Sequence, residues 1–198
     1  MNRVIVWGVA FAALIAFGLS LAGRHGMLGE PPSQQVAQVS LGGPFTLVRG
    51  DGVTVTEADF AGDYTLVLFG YTFCPDVCPT ALANASGALD LLGEDAEKVS
   101  VLFVTVDPAR DTPAVVGDYV ANFHPRVVGL SGSAEQIAAM AGAYHVYYAR
   151  AQGGDTEDYL VDHSAALYLM GPTGEYLANF RFNASAEELA AGLRKHLS

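Results

Sequence analysis

Tyr64-Thr65-Leu66-Val67-Leu68-Phe69-Gly70-Tyr71 runs, two residues later, into Cys74-Pro75-Asp76-Val77-Cys78-Pro79-Thr80, and from there into an Ala- and Leu-rich stretch that stops at Gly93. The first part is a continuous apolar run, suited to a strand buried on both faces. Thr80 to Leu92 predicts a helix with a glycine after its end. Both cysteines of the chain therefore fall where a buried strand gives way to a helix. Pro79 suits the first helical turn, since its missing N–H would have no partner there. Cys78 then lies beside the helix N-terminus, where free N–H groups and the positive dipole end favour thiolate over thiol. At least one sulfur is expected to ionise below the ordinary thiol range.

Outward from this unit, the pattern alternates strand and helix. Upstream, Gly50-Asp51-Gly52 is a turn signal between Phe45 to Arg49 and Val53 to Thr56, which predicts an N-terminal β-hairpin. Downstream, Val99 to Val106 is a second buried strand, and Thr112-Pro113 opens a helix to Phe123 with an N-cap threonine and a proline in its first turn. Val127 to Leu130 is a short third strand. Ser133 and Gln136 have capping-box spacing before a helix from Ile137 to Tyr144. His145 to Ala149 and Ala165 to Met170 read as strands, the latter joined through Gly171-Pro172-Thr173-Gly174 to Tyr176 to Phe180. Ser185 and Glu188 cap a final amphipathic helix through Leu197. No internal repeat is present. Strand-helix alternation followed by an antiparallel hairpin and a closing helix predicts an α/β domain with a mixed sheet flanked by helices, and a thioredoxin-like arrangement fits that order best.

The 198 residues include 10 Lys and Arg against 21 Asp and Glu, a net charge of −11. Every acid lies at Glu30 or later, so the body is more acidic still, which excludes electrostatic capture of nucleic acid. A hydrophobic content of 51% excludes disorder throughout. Two cysteines cannot build a multi-bridge framework; if they matter, they act as a pair in redox or metal chemistry.

Residues 1–3 read as a short cytoplasmic N-terminus. Val4 to Gly23 is then a run of 20 residues without a charge. As a helix at roughly 1.5 Å per residue it matches the roughly 30 Å hydrocarbon layer, so residues 4–23 are expected to form a single transmembrane anchor. Ser20-Leu21-Ala22 resembles a signal-peptide cleavage site, but the apolar stretch is longer than a usual signal h-region. No Arg- and Ser-rich transit leader is visible. Residues 24–35, ending in Glu30-Pro31-Pro32-Ser33-Gln34-Gln35, read as an extended linker, and residues 36–198 as the folded domain. The expectation is a bacterial inner-membrane protein, single-pass, with its domain in the periplasm.

Three residues between cysteines, one of them proline, make a loop that can close as a disulfide or let both sulfurs converge on one ion. Buried structural cysteines are the bland alternative; prolines on both sides, adjacent Asp76 and the strand-end position argue against it. Two thiolates suit a soft ion such as Cu(I), and a neutral imidazole as third ligand would give a net charge near −1 with Cu(I) and 0 with Cu(II). A Cys2His zinc would be catalytic with an open position. Five histidines compete. His25 lies at the membrane edge and His196 on the last helix; His124 ends a helix; His145 starts a strand. His163 is different: Val161-Asp162-His163-Ser164 joins a polar, glycine-bearing loop to the strand Ala165 to Met170, and such a junction can deliver an imidazole to the sheet edge. Asp162 could accept from its other ring nitrogen. The residues alone favour His163 without excluding the others.

Phe69-Gly70-Tyr71-Thr72-Phe73-Cys74-Pro75-Asp76-Val77-Cys78-Pro79-Thr80, Val106-Asp107-Pro108-Ala109-Arg110-Asp111-Thr112-Pro113 and Val161-Asp162-His163-Ser164 together resemble the Sco/SenC family of copper-binding proteins, in order and spacing, over roughly Val36 to Ser198. The resemblance implies a thioredoxin-like fold holding copper, as Cu(I) or Cu(II), with Cys74, Cys78 and His163. It implies a metallochaperone that receives copper from an upstream periplasmic donor and helps assemble the dinuclear copper centre of cytochrome c oxidase subunit II. The alternative it leaves open is a thiol-disulfide oxidoreductase, with Cys74 and Cys78 as the redox-active pair acting on that centre's cysteines without stable metal. A peroxiredoxin-type peroxidase fits poorly, because Thr72 lies only two residues before the reactive cysteine and no nearby upstream proline accompanies it. Asp107, Arg110 and Asp111 are expected to form a capping and salt-bridge network rather than to touch copper.

Overall fold

The computed structural model describes residues 41–151 and 159–197. Among them no helix is long and apolar enough to cross a membrane; the expected anchor at 4–23 and linker at 24–35 lie outside the described residues.

The apolar run forms β3 (Tyr64–Gly70), every residue of which is buried, and pairs in parallel with the equally buried β4 (Val99–Thr105). Burial on both faces follows from the absence of alternation. Successive side chains point to opposite sides, and both sides are covered. β5 (Val127–Ser131) adds a third parallel strand. The hairpin β1 (Thr46–Arg49) and β2 (Thr54–Thr56) forms as expected and joins antiparallel to β5. On the other side, β8 (Ala166–Met170) pairs antiparallel with β3, and β9 (Tyr176–Arg181) with β8. The result is a seven-stranded mixed sheet in the order β2-β1-β5-β4-β3-β8-β9.

The helices cover both faces. α1 (Val77–Leu92) follows β3. α2 (Pro113–Val120) starts at Thr112, whose hydroxyl accepts from the Val115 N–H. α3 (Ala134–Ala143) and α4 (Ala186–Arg194) both begin with complete capping boxes, from Ser133 with Gln136 and Ser185 with Glu188. Phe103 of β4 meets Tyr119 of α2 with ring centroids 5.3 Å apart and also borders Gly70 and Cys78, so α1 and α2 share one face. Phe69 points the other way, onto Tyr144 at the end of α3. α4 packs against α1.

Several local readings change: α2 ends at Val120 and not at Phe123, α3 begins at Ala134 and not at Ile137, and α4 stops at Arg194 short of Leu197. α1 starts at Val77, one turn-fraction before the expected Thr80, because Pro79 at the third helical position still falls among residues whose N–H has no intrahelical partner. The strand expected over His145 to Ala149 contracts to β6 (Tyr148–Arg150), since His145 takes a left-handed conformation, φ 53°, in the turn leaving α3. Residues Val161–His163, expected as the end of a loop, form β7, which pairs with β6 in a separate two-stranded sheet with Tyr148 opposite His163.

Candidate metal and thiol site

The carboxyl end of β3 delivers the chain to the front of α1. Gly70 is required there by space: a Cβ would lie 2.5 Å from Cys78 Sγ and 2.8 Å from Phe103 Cε2. With no side chain at Gly70, the Cys78 sulfur seats against the strand end, fully buried. Cys74 precedes the helix, tied back by its N–H to the Tyr71 carbonyl at 3.2 Å. Its sulfur accepts from the Cys78 N–H at 3.5 Å and so occupies the place of a capping group at the start of α1. Both cysteines are free thiols rather than a disulfide.

The two sulfurs ionise differently. A hydrogen bond from Cys78 holds Cys74 down to about 5 against the opposition of burial; the N–H groups of Cys78 and Asp76 and the nearby His163 add to the effect. Cys78 moves the opposite way, well above the ordinary thiol range, because it donates its proton to Cys74 and is more deeply buried. The pair therefore shares one proton near neutral pH: thiolate on Cys74, thiol on Cys78. The expected depressed thiol exists, and it is the cysteine outside the helix rather than the one within its first turn.

His163 reaches this pair from β7. Its Nε2 lies 3.6 Å from Cys78 Sγ, across 85 residues of sequence. Its Nδ1 lies 2.9 Å from the Val161 carbonyl oxygen. A carbonyl can only accept, so Nδ1 carries the proton, and Nε2 presents its lone pair toward the sulfurs. The ring also makes a T-shaped contact with that of Tyr71, with centroids 5.6 Å apart at 86°. The acceptor for Nδ1 is thus the backbone rather than the Asp162 carboxylate expected in that place. Asp162 is exposed and precedes His163 on a strand, so alternation turns it to the opposite side.

The other described histidines are placed differently. His124 Nδ1 accepts from the Arg126 N–H at 3.1 Å, His145 is exposed, and the His196 carbonyl accepts from Tyr64 at the far end of the sheet. Among the described residues, no three His, Cys, Asp or Glu side chains already form a finished metal-holding group. What the site offers is a contiguous set of two sulfurs and one imidazole, soft donors suited in kind to a thiophilic ion.

The motif around Asp107 forms the wall of the site. Asp111, almost fully buried, accepts from the Thr72 N–H at 2.9 Å, the Thr72 hydroxyl at 2.5 Å and the Thr105 hydroxyl at 2.7 Å. It thereby ties the residue before the cysteine loop to the end of β4. Asp107 pairs with Arg110 at 2.5 Å and accepts from the Tyr159 hydroxyl at 2.7 Å. This is the expected capping and salt-bridge network. The part played by Tyr159, Tyr71 and Gly70 was not predicted; of the three, only Gly70, a glycine at the end of an otherwise bulky strand, carried a sequence signal.

Comparison with known proteins gives one answer. The SCO1/SenC family model matches residues 33–198. The chain is 41% identical to "Protein SCO1 homolog 1, mitochondrial" of Arabidopsis thaliana over 85% of this chain and 50% of that protein. It is 40% identical to "Protein SCO2 homolog, mitochondrial" of Bos taurus over 100% of this chain and 76% of that one. It thus spans half the length of the Arabidopsis relative. Among solved structures, that of Bradyrhizobium japonicum ScoI with copper bound superposes with a TM-score of 0.74 at 42% identity, covering 80% of this chain and 100% of that chain.

Proposed function

We propose, from the premise that this chain belongs to the SCO1/SenC family, that its domain is a copper carrier that takes its ion between Cys74 Sγ, Cys78 Sγ and His163 Nε2. The observation that carries this reading is the orientation of His163. An imidazole from a distant segment, fixed in the Nδ1–H form by the Val161 carbonyl, points its free lone pair at the buried sulfur 3.6 Å away. The donor set is soft and lies at one pole of the sheet, at the mouth of the β3–α1 turn, where Cys74 keeps slight exposure. Cys74 already carries the negative charge a cation needs; binding must displace only the proton on Cys78. The acceptor is proposed to be the dinuclear copper centre of cytochrome c oxidase subunit II, and the source an upstream periplasmic copper donor. Residues 4–23 are proposed to tether the domain to the bacterial inner membrane.

Copper affinity and stoichiometry, measured with a competing chelator on the full chain and its Cys74→Ser, Cys78→Ser and His163→Ala variants, test the reading. One copper per wild-type chain is expected, with each variant weakened by more than the roughly 10- to 100-fold that removal of an outer-shell partner costs. Wild-type affinity in His163→Ala would remove the third ligand.

A second reading rests on the ionisation of the pair. A thiolate at Cys74 backed by a protonated Cys78 is the arrangement of an attacking and a resolving thiol. Cys74 would attack a target disulfide, forming a mixed disulfide and releasing one target thiolate. Cys78, losing its proton, would then attack Cys74 Sγ and release the second, leaving a Cys74–Cys78 disulfide and a target reduced by two electrons. Metal-free protein that reduces a disulfide peptide equally well with and without His163 would favour this role over copper carriage.

A further inference from the structure

His163 sits on an element that cannot hold itself in place. β6 and β7 are three residues each and form a two-stranded sheet outside the main one. Such a ribbon alone is marginal in water. Its base is tied where the chain enters β8: Ser164 and Tyr147 exchange two hydrogen bonds, at 2.9 and 3.1 Å. Its far end is tied by Tyr159. The Tyr159 hydroxyl donates to Asp107 Oδ1 at 2.7 Å, while the other carboxylate oxygen takes Arg110 Nε at 2.5 Å. The Arg110 guanidinium lies over the Tyr159 ring at 3.7 Å, and that of Arg150, at the end of β6, lies over it at 4.0 Å. Arg110 also sits 5.2 Å from the ring of Phe73, the residue before Cys74. Asp107 is itself buried and fixed by its N–H to the Thr105 hydroxyl. One phenol thus joins the histidine-bearing ribbon to the rigid end of β4 and, through Arg110, to the cysteine loop.

We infer that Tyr159, through Asp107 and Arg110, is a positioning residue that keeps the β6–β7 ribbon, and with it the His163 imidazole, seated against the Cys74–Cys78 pair. The copper consequence of this inference rests on the ligand reading above; the seating itself does not. The hydrogen bond from a phenol to a buried carboxylate is of the charge-assisted kind, and its loss raises the population of unseated ribbon by about 10- to 100-fold. Copper affinity then falls only by the fraction of molecules in which His163 has left its place. The three residues lie 52 positions apart in sequence at their widest bond, so the join is a property of the fold and not of a local motif.

Tyr159→Phe keeps the ring beneath both guanidiniums and removes the hydroxyl alone. In the reduced, metal-free full chain, NMR of the His163 ring reads the seating directly. The wild type is expected to show an Nδ1-protonated ring whose signals are shifted by the adjacent Tyr71 ring. Tyr159→Phe is expected to move those signals toward free imidazole and to speed amide exchange at Ala151 and Ser164 about 10- to 100-fold, with β3 and β4 amides unchanged. Asp107→Ala removes the acceptor of the same bond and is expected to displace the His163 signals in the same direction. Unchanged His163 signals and exchange in both variants would overturn the inference. Copper titration adds a coupling test: Tyr159→Phe should weaken binding in the wild-type background and leave His163→Ala unaffected. An equal loss in both backgrounds would overturn action through His163. Should His163→Ala itself bind copper like the wild type, the ligand reading falls, and the metal-free spectra decide the seating on their own.

Discussion

Titrating the thiols of the reduced, metal-free chain, with and without Cys78→Ala, probes the electrostatic centre of the site. With Cys74 down to about 5, this sulfur is ~99% thiolate at pH 7, against ~3% for an ordinary thiol near 8.5. That roughly 30-fold gain in thiolate does not make Cys74 faster at pH 7. Nucleophilicity falls with pKa along a Brønsted slope of about 0.4–0.5, which over about 3.5 units removes some 25- to 55-fold. The two effects nearly cancel at neutrality. They separate in acid: at pH 5.5 Cys74 remains ~76% ionised while an ordinary thiol is ~0.1% ionised, so a net advantage of roughly 15- to 30-fold survives. The assay is the rate of alkylation by iodoacetamide against pH, with the modified residue identified by mass spectrometry. The expected profile for Cys74 is flat above about pH 6 and falls tenfold per unit below about 5, while Cys78 stays unmodified. Because the hydrogen bond from Cys78 is the largest cause of the shift, Cys78→Ala should move the midpoint up by about 1–2 units, the equivalent of losing one charge-assisted bond. A wild-type midpoint in the ordinary thiol range, or one unmoved by Cys78→Ala, would refute the shared-proton description.

The same shifts give the stability of the reduced domain a defined pH dependence. Cys74 is depressed on folding, so its contribution is present in full above the unfolded value near 8.5 and is lost as pH falls through about 5. Cys78 is raised, so above about 8.5 the unfolded chain releases a proton that the folded chain keeps, and stability declines. The difference in unfolding free energy between wild type and Cys74→Ser/Cys78→Ser, followed by urea denaturation, should therefore rise from pH 5 and turn over near 8.5.

Two further substitutions test how the site is held. Gly70→Ala inserts a methyl 2.5 Å from Cys78 Sγ and 2.8 Å from Phe103; overpacking of this kind costs about 1–3 kcal/mol, so Tm should fall by about 2–12 °C and copper affinity should drop with the displaced sulfur. An unchanged Tm would mean the strand end yields freely. Asp111→Asn replaces a buried carboxylate that accepts three hydrogen bonds by a group with one acceptor oxygen. A loss of about 2–4 kcal/mol in urea unfolding is expected, and a loss below about 0.5 kcal/mol would show that Asp111 does not anchor the cysteine loop.

What the sequence made legible is what short-range physics writes into it. The unbroken apolar run of β3 gave its burial, the Gly50-Asp51-Gly52 turn gave the first hairpin, and the Ser133/Gln136 and Ser185/Glu188 spacings marked two capping boxes that form as expected, because a strand, a tight turn and a capping box each close their own hydrogen bonds within a few residues, although the first of these two helices begins at Ala134 and not at Ile137. The same locality explains the failures. Which sulfur ionises depends on the hydrogen bond between the two cysteines and on the greater depth of Cys78, which seats beside Phe103 where Gly70 leaves room. The partner of His163 Nδ1 was sought in a side chain, Asp162, because side chains advertise themselves in a sequence, whereas the Val161 carbonyl that takes its place is a group every residue has.

His163 could be singled out among five histidines from its position before a strand, but what holds it could not. Tyr159, Asp107 and Arg110 come from two segments with no shared periodicity, and nothing about a tyrosine near an acidic loop marks it as the tie between them. This asymmetry follows from how the site is built. The two sulfurs come from a strand-turn-helix unit that positions them by its own geometry, so their spacing is preserved wherever that unit folds. The imidazole comes from a ribbon whose position depends on long-range polar contacts, each worth only about 1–3 kcal/mol. Under the proposed copper role, that division would suit a carrier that must both retain and release its ion: sulfur donors on a rigid turn would keep the site in existence, while a donor on a weakly anchored ribbon could leave first, so changes in the Tyr159 tie should alter release more than they alter the fold.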